Sequence, residues 1–338
     1  MALKNSPVTK EEIKSKCYWV IEAETPSTIN WDDVIGQGTY GIILGTIHEE
    51  NMVVKVANKT STCNQIDHEF LLHQKALESL QIIKSEKPTI PIFCPEITNF
   101  LHTKGCCWYY MSKIYKEPSF NKLIHCLIYN SDDDKTVEKW SGIFPTVEDL
   151  TTWINQFKQE DKLNPYIIDI ETIAYYNGII FGLLHYGSMQ TGQDIEIVLG
   201  KKSLNDKINV FFYDFDKSQN IADFDENTIK LLVQSLSGSY SKFLGDIGEK
   251  FKEGYRYSAE KFDKLDYCNE VIGKCEALEK MLLDDDDIEG GSKINIKKRR
   301  YQKRIKTKKI INRKTRKTRK TRKTRKTRKI GKTRKSKN

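Results

Sequence analysis

Eight cysteines stand among 338 residues, and none of them forms a CxxC pair or a repeating framework. That spacing excludes a zinc ribbon and a disulfide-dense secreted scaffold. Free cysteines packing as small hydrophobes in a reducing, intracellular compartment are the expectation. Cys94, His102, Cys106 and Cys107 have the residue types of a zinc site, but the Cys106–Cys107 pair lies in an apolar, strand-like run, which favours packing over ligation. The opening MALKNSPVTKEEIKSKC carries charge and lacks an apolar h-region, so no secretory signal is expected. The longest apolar run, YIIDIETIAYYNGIIFGLL, contains Asp169, Glu171 and Asn177 and reads as a buried helix, not a membrane span.

Acidic residues are absent from 293–338, where 26 of the 56 basic residues are concentrated. The formal charge of +10 therefore hides an acidic body: the remaining 30 basic residues face all 46 acidic ones, leaving 1–292 at about −16. The tail RKTRKTRKTRKTRKTRK repeats every three residues and offers no apolar face to helix or strand, so disorder in isolation is expected. It suits a solvated tag, a nuclear or virion localisation signal, or a binder of nucleic acid or another polyanion, with strong salt dependence. Apart from Tyr301 it lacks aromatics to stack on bases, which argues against reading sequence.

Five segments follow: an extension (1–30) with a short helix, a β-rich unit (31–115), a helical unit (116–283), the acidic, Gly-containing linker DDDDIEGGSK (284–292, Lys293 opening the tail), and the tail (293–338). In 32–115, alternating β-branched runs and a helical NQIDHEFLLHQKALESLQII with acidic residues near its start predict the order β-β-β-α-β-β. Beyond it, the spacing predicts a helix in TVEDLTTWINQF, a surface excursion at NSDDDK, and a strong helix over 165–185. Strands EIVLG and VFFYDF follow, and then more helix.

Gly36, Gly38 and Gly41 complete a G-x-G-x-x-G, which by itself fits a Gly-rich hairpin equally well. A dinucleotide fold requires strand, loop and helix, whereas IILGTI and VVKV make the next elements strands. Strand–loop–strand is the phosphate-covering arrangement of protein kinases. Lys55 then falls on the third strand, where a kinase contacts the α- and β-phosphates, and Glu69 on the next helix is its ion-pair partner. A surface lysine and a solvated glutamate are the alternative, although Val53, Val54 and Val56 flank Lys55. In the second half, Asp214 of Tyr213-Asp214-Phe215-Asp216 takes the position of a metal-binding D-F-G aspartate; a plain β-turn aspartate is the alternative. Asp216 replaces the glycine of that hinge.

The ordered set VIGQGTYG, VVKV, LLHYGSMQTGQDIEIVLG and VFFYDFDKS resembles a divergent protein-kinase-like domain of unknown function found in fungal zinc-finger-annotated proteins. That family carries an H-W…D-A-R-D-V-E-F-V-L-G segment followed by D-F-D/N. The resemblance covers about residues 32–220 and is most specific at Asp194–Gly200. The tail is similar in style to proteins of large DNA viruses. No Cys/His finger is visible, so that part of the family name does not carry over.

The resemblance implies a two-lobed α+β kinase-like fold with an abbreviated helical C-lobe, binding ATP and Mg²⁺. Glu196 takes the place of the metal-ligand asparagine, a role that suits a carboxylate. Thr191 takes the place of the catalytic aspartate, and a hydroxyl does not accept a substrate proton as a carboxylate does. Asp194 is the candidate substitute base. No A-P-E signature is visible. Two functions are expected: an atypical phosphotransferase, or a pseudokinase scaffold tethered to a polyanion by its tail.

Overall fold

The computed structural model describes residues 9–24, 29–58, 62–127, 136–139, 142–239 and 243–284. Residues 1–279 form one compact unit and 280–338 a second, of which only 280–284 are described. The excursion at NSDDDK, nearly all of the acidic linker and the basic tail lie outside the described residues.

The first lobe is a five-stranded antiparallel sheet in the order β1-β2-β3-β6-β5. Its strands are β1 (Ile29–Gln37), β2 (Gly41–Thr46), β3 (Met52–Ala57), β5 (Ile97–Thr103) and β6 (Cys106–Ser112); a two-residue β4 (Ile92–Phe93) belongs to the other lobe's sheet. Side chains alternate faces along a strand. Val54, Val56, Cys106 and Trp108 accordingly pack with Ile13, Cys17 and Ile21 of α1 (Lys10–Glu24). Ala57, Cys107 and Tyr109 go to the opposite face, against Cys63, Ile66 and Phe70 of α2 (Cys63–Glu86). Asp67 and Glu69, the acidic residues near the start of α2, come just after its first turn.

The cysteine expectation is corrected on the two faces of β6. Cys106 is disulfide-bonded to Cys17 of α1, and its neighbour Cys107 to Cys63 of α2. Alternation sends the adjacent cysteines to opposite helices, so the bridges span 89 and 44 residues and leave no spacing signature. Cys94, Cys126, Cys268 and Cys275 are free and buried, as small hydrophobes. The zinc grouping does not assemble, because Cys106 and Cys107 are committed to different partners.

The second lobe combines β7 (Ile124–His125), β8 (Val137–Lys139), β9 (Gly142–Phe144), β10 (Glu196–Gly200) and β11 (Asn209–Tyr213) with helices α3 (Val147–Gln159), α4 (Ile170–Gly182), α5 (Glu226–Ser239), α6 (Gly245–Lys261) and α7 (Leu265–Asp284). Its sheet runs β4-β11-β10-β7-β9-β8. The helix expected over 165–185 begins at Ile170, because Asp169 caps it by accepting from the Thr172 backbone N–H at 2.8 Å. It then continues through a π-helical turn, Leu183–Gly187, a distortion common at functional sites. Two glycines let α4 cross α6 at backbone contact: a Cβ on Gly178 would stand 2.0 Å from the Phe251 carbonyl oxygen, and one on Gly254 equally close to that of Tyr175. No described helix is long and apolar enough to cross a membrane.

The connection between the lobes is fastened by charge. Buried Glu117 meets Lys201 at 2.7 Å and Lys162 at 2.9 Å, while Tyr115 and Lys201 exchange backbone hydrogen bonds. The strand order of the first lobe, the helix between its third strand and the next two, and the α4-centred second lobe make up the two-lobed, kinase-like α+β fold expected from the sequence.

Candidate functional site

Lys55 is at the centre of β3, paired in register with Ile43 on one side and Tyr109 on the other. Cross-strand neighbours share a face, here the face covered by α2. Lys55 Nζ donates to Glu69 Oε1 at 2.5 Å, and the Tyr109 hydroxyl donates to the same oxygen at 3.0 Å. Burial opposes the lysine's charge, but Glu69 and Asp214 outweigh it and hold the ammonium above its usual range. Burial pushes the Glu69 carboxyl up, against the pull of Lys55. Burial also pushes the Tyr109 phenol up, so it remains a donor.

Asp214 approaches from the other lobe, its Oδ1 3.7 Å from Lys55 Nζ. It ends β11 by adopting φ +69°, a left-handed conformation that non-glycine residues seldom take. Phe215 is fully buried and faces His73 of α2 at 4.8 Å between ring centroids. His73 donates to the Pro95 carbonyl at 2.7 Å, and burial lowers its pKa to about 3, so the ring is neutral.

Above this clamp, the Gly38 N–H donates to the Gly41 carbonyl at 2.8 Å, closing the hairpin between β1 and β2. Asn58 holds the loop from beneath by donating to the Thr39 carbonyl (3.0 Å) and the Gly38 carbonyl (3.3 Å). Of the three glycines only Gly41 is demanded by packing: a Cβ there would lie 2.8 Å from the Val56 oxygen and 3.3 Å from Lys55 Cγ. At Gly36 and Gly38 the nearest atoms are 3.8 Å away.

The loop between the π-turn and β10 is organised differently. Thr191 is buried, its backbone N–H donating to the Gln219 carbonyl (2.9 Å) and its Oγ1 accepting from the Gln219 N–H (3.1 Å). Below it, His185 Nε2 donates to the Thr191 carbonyl (3.0 Å) and Nδ1 accepts from the Tyr255 hydroxyl (2.6 Å). Burial lowers the His185 pKa to about 3. Thr191 therefore joins two loops, and an acid put there would meet backbone instead of an acceptor. Met189 and Asp194 both have positive φ, 54° and 60°. Asp194 is ion-paired to half-exposed Lys217 at 2.5 Å. Glu196 opens β10 opposite Tyr213, and its Oε2 lies 2.8 Å from Nδ1 of fully buried His125. His125 stacks on Phe144 at 4.0 Å.

Magnesium takes one or two carboxylates and completes its octahedron with phosphates and water, so no all-protein cage is required. Asp214, about one-third exposed, fits that chemistry. Glu196 fits it only by sharing its carboxylate with His125. Among the described residues no group of three or more metal-ligating side chains gathers. The buried Glu69 Oε2 has no hydrogen-bond partner among the described residues, while the ammonium beside it has donors to spare. Those donors are what a phosphate needs.

No family model matches the chain, and no curated protein matches it in sequence. Among solved structures it is similar to APH(2")-IIia in its GDP and kanamycin complex, at 9% identity and a TM-score of 0.29, over 78% of this chain and 99% of that one. Similarity to the GDP complex of wild-type aminoglycoside 2'-phosphotransferase-IIIa is at 11% identity and a TM-score of 0.26, over 78% and 98%.

Sequence reasoning missed Asn58, Tyr109, His73, His125 and Lys217. Asn58 and Lys217 had local signals, Asn58 three residues after Lys55 just past β3 and Lys217 directly after the Asp214-Phe215-Asp216 turn.

Proposed function

We propose that the cleft between the lobes binds ATP with Mg²⁺. Lys55 contacts the α- and β-phosphates, Glu69 and Tyr109 orient it, and the loop at Gly36, Gly38 and Gly41 covers the phosphates. Asp214 holds the magnesium, with Glu196 as its second carboxylate. The observation that carries this reading is the buried Lys55–Glu69 pair with Asp214 3.7 Å away. A buried ion pair is a weak source of stability, which favours a functional role for it. Full-length protein should melt at a higher temperature with millimolar Mg–ATP, and Lys55→Ala and Asp214→Asn should remove the shift. No shift in the wild type sinks the proposal.

Phosphoryl transfer is the less favoured half of the function. Thr191 supplies no base, and Asp194 is tied to Lys217. Positioning and charge carry much of phosphoryl transfer, so slow transfer is compatible with this site. Labelled γ-phosphate decides between an atypical phosphotransferase and a pseudokinase scaffold, which is the reading favoured by the way Thr191 is bonded. The tail at 293–338 tethers the scaffold to nucleic acid or another polyanion, in the nucleus or a virion. Its removal should abolish salt-sensitive polyanion binding; binding that persists overturns the tether.

A further inference from the structure

Lys217 directly follows the Asp214-Phe215-Asp216 turn, and the clamp described above makes no use of it. Its Nζ is 2.5 Å from Asp194 Oδ2, and both side chains are about half exposed. The backbone beneath it is fixed on both sides. Ser218 N donates to the Phe215 carbonyl (3.1 Å), Gly192 N donates to Ser218 Oγ (3.0 Å), and Gln219 pairs with Thr191. Farther on, Ile221 N donates to the Met189 carbonyl at 2.7 Å. A long, flexible cation therefore stands on a rigid base beside the metal-side aspartate. The hydrogen bond to Asp194 raises its pKa, and Asp216 and Asp214 act in the same direction, so the ammonium stays charged.

Lys55 differs on each count, being buried and committed to Glu69. An exposed lysine–aspartate pair adds little to stability, so a phosphate carrying more charge than a single carboxylate can take Lys217 from Asp194.

We infer that Lys217 is a second phosphate-contacting lysine, which exchanges Asp194 for the terminal phosphate of a nucleoside triphosphate. The inference rests on the nucleotide reading above. It makes Lys217 the residue that tells a triphosphate from a diphosphate, and it makes Asp194 the resting place of that lysine, not a base.

Calorimetric titration of the full chain with Mg–ATP and Mg–ADP tests this. Lys217→Ala should weaken ATP about tenfold, the loss of one charge-assisted hydrogen bond, and leave ADP within about twofold. Lys217→Arg should keep most of the ATP preference. Asp194→Asn, which frees the lysine, should leave ATP binding equal or tighter. Equal weakening of both nucleotides by Lys217→Ala, or weakening of neither, overturns the inference while the nucleotide reading survives. Failure of the wild type to bind either nucleotide overturns both.

Discussion

The two halves of the site are built to different standards. On the first-lobe side, Lys55, Glu69 and Tyr109 converge within hydrogen-bonding distance, and Asp214 faces them across the cleft. On the second-lobe side, the position proposed for a base is held by Thr191, whose N–H, carbonyl and Oγ1 are each bonded to Gln219 or His185. On the proposed reading, the difference teaches that a cleft can keep a phosphate clamp while the acceptor side becomes structural. The clamp has donor capacity left over on an ammonium, whereas Thr191 is held by its backbone and by the bond its hydroxyl accepts from Gln219.

The largest effect should come from breaking the clamp. Lys55→Met leaves Glu69 buried without its cation, and removing one partner of a buried pair costs about 3–5 kcal/mol. Chemical denaturation should show that loss together with loss of nucleotide binding. Adding Glu69→Leu should recover most of the stability, because an apolar pair tolerates burial, yet binding should stay lost. Recovery of binding in the double variant would mean that the pair only supports the fold.

Acid should weaken both halves together, since each contains one buried neutral imidazole. His73 on the clamp side and His185 on the loop side have pKa values lowered to about 3, whereas an unfolded imidazole titrates near 6.5. The unfolded state therefore takes up protons first. The stability due to this pair is fully present above about pH 6.5 and falls by about 1.4 kcal/mol per unit for each histidine below it. Between pH 6.5 and 5 the two should lose about 3 kcal/mol. Urea melts across that range should show the slope, and His73→Asn or His185→Asn should each remove about half of it. A flat wild-type profile contradicts the burial of both rings.

Restoring an acid to the loop sharpens the contrast further. Thr191→Asp puts a carboxylate at a buried position whose hydroxyl now accepts from Gln219, and an imperfectly paired buried charge should cost about 2–4 kcal/mol. Transfer of γ-phosphate should not rise. A gain in transfer would show that the loop opens enough to use a base there.

How much of this was legible in the sequence follows from range. Gly36, Gly41, Lys55 and Glu69 could be read because strand alternation and helical spacing are local rules, and the β-β-β-α-β-β order rests on the same rules. Tyr109 joins the clamp only through the register of β3 with β6, a pairing across more than fifty residues. The hydrogen bonds between Gln219 and Thr191 and the 2.8 Å approach of His125 Nδ1 to Glu196 Oε2 are likewise long-range, and they decide what those acidic or hydroxyl residues can do. Cys106 and Cys107 make the same point: adjacency in sequence hid the fact that they face different helices. Chemistry by residue type was visible, but its availability was not.

The smallest stability change belongs to the glycine loop, and it isolates the phosphate-covering role from packing. Gly41→Ala meets the Val56 oxygen and the Lys55 side chain, so it should cost about 1–3 kcal/mol and disturb the clamp directly. Gly36→Ala meets only Ile43 at 3.8 Å, so stability should stay within about 0.5 kcal/mol. Any need for glycine at 36 must then come from outside the free fold, from a ligand that approaches the backbone more closely than a Cβ permits. Weakened Mg–ATP binding by Gly36→Ala at unchanged melting temperature assigns the loop to the nucleotide. Unchanged binding makes it an ordinary hairpin and leaves the proposed phosphate contacts to Lys55 and to a magnesium held by Asp214.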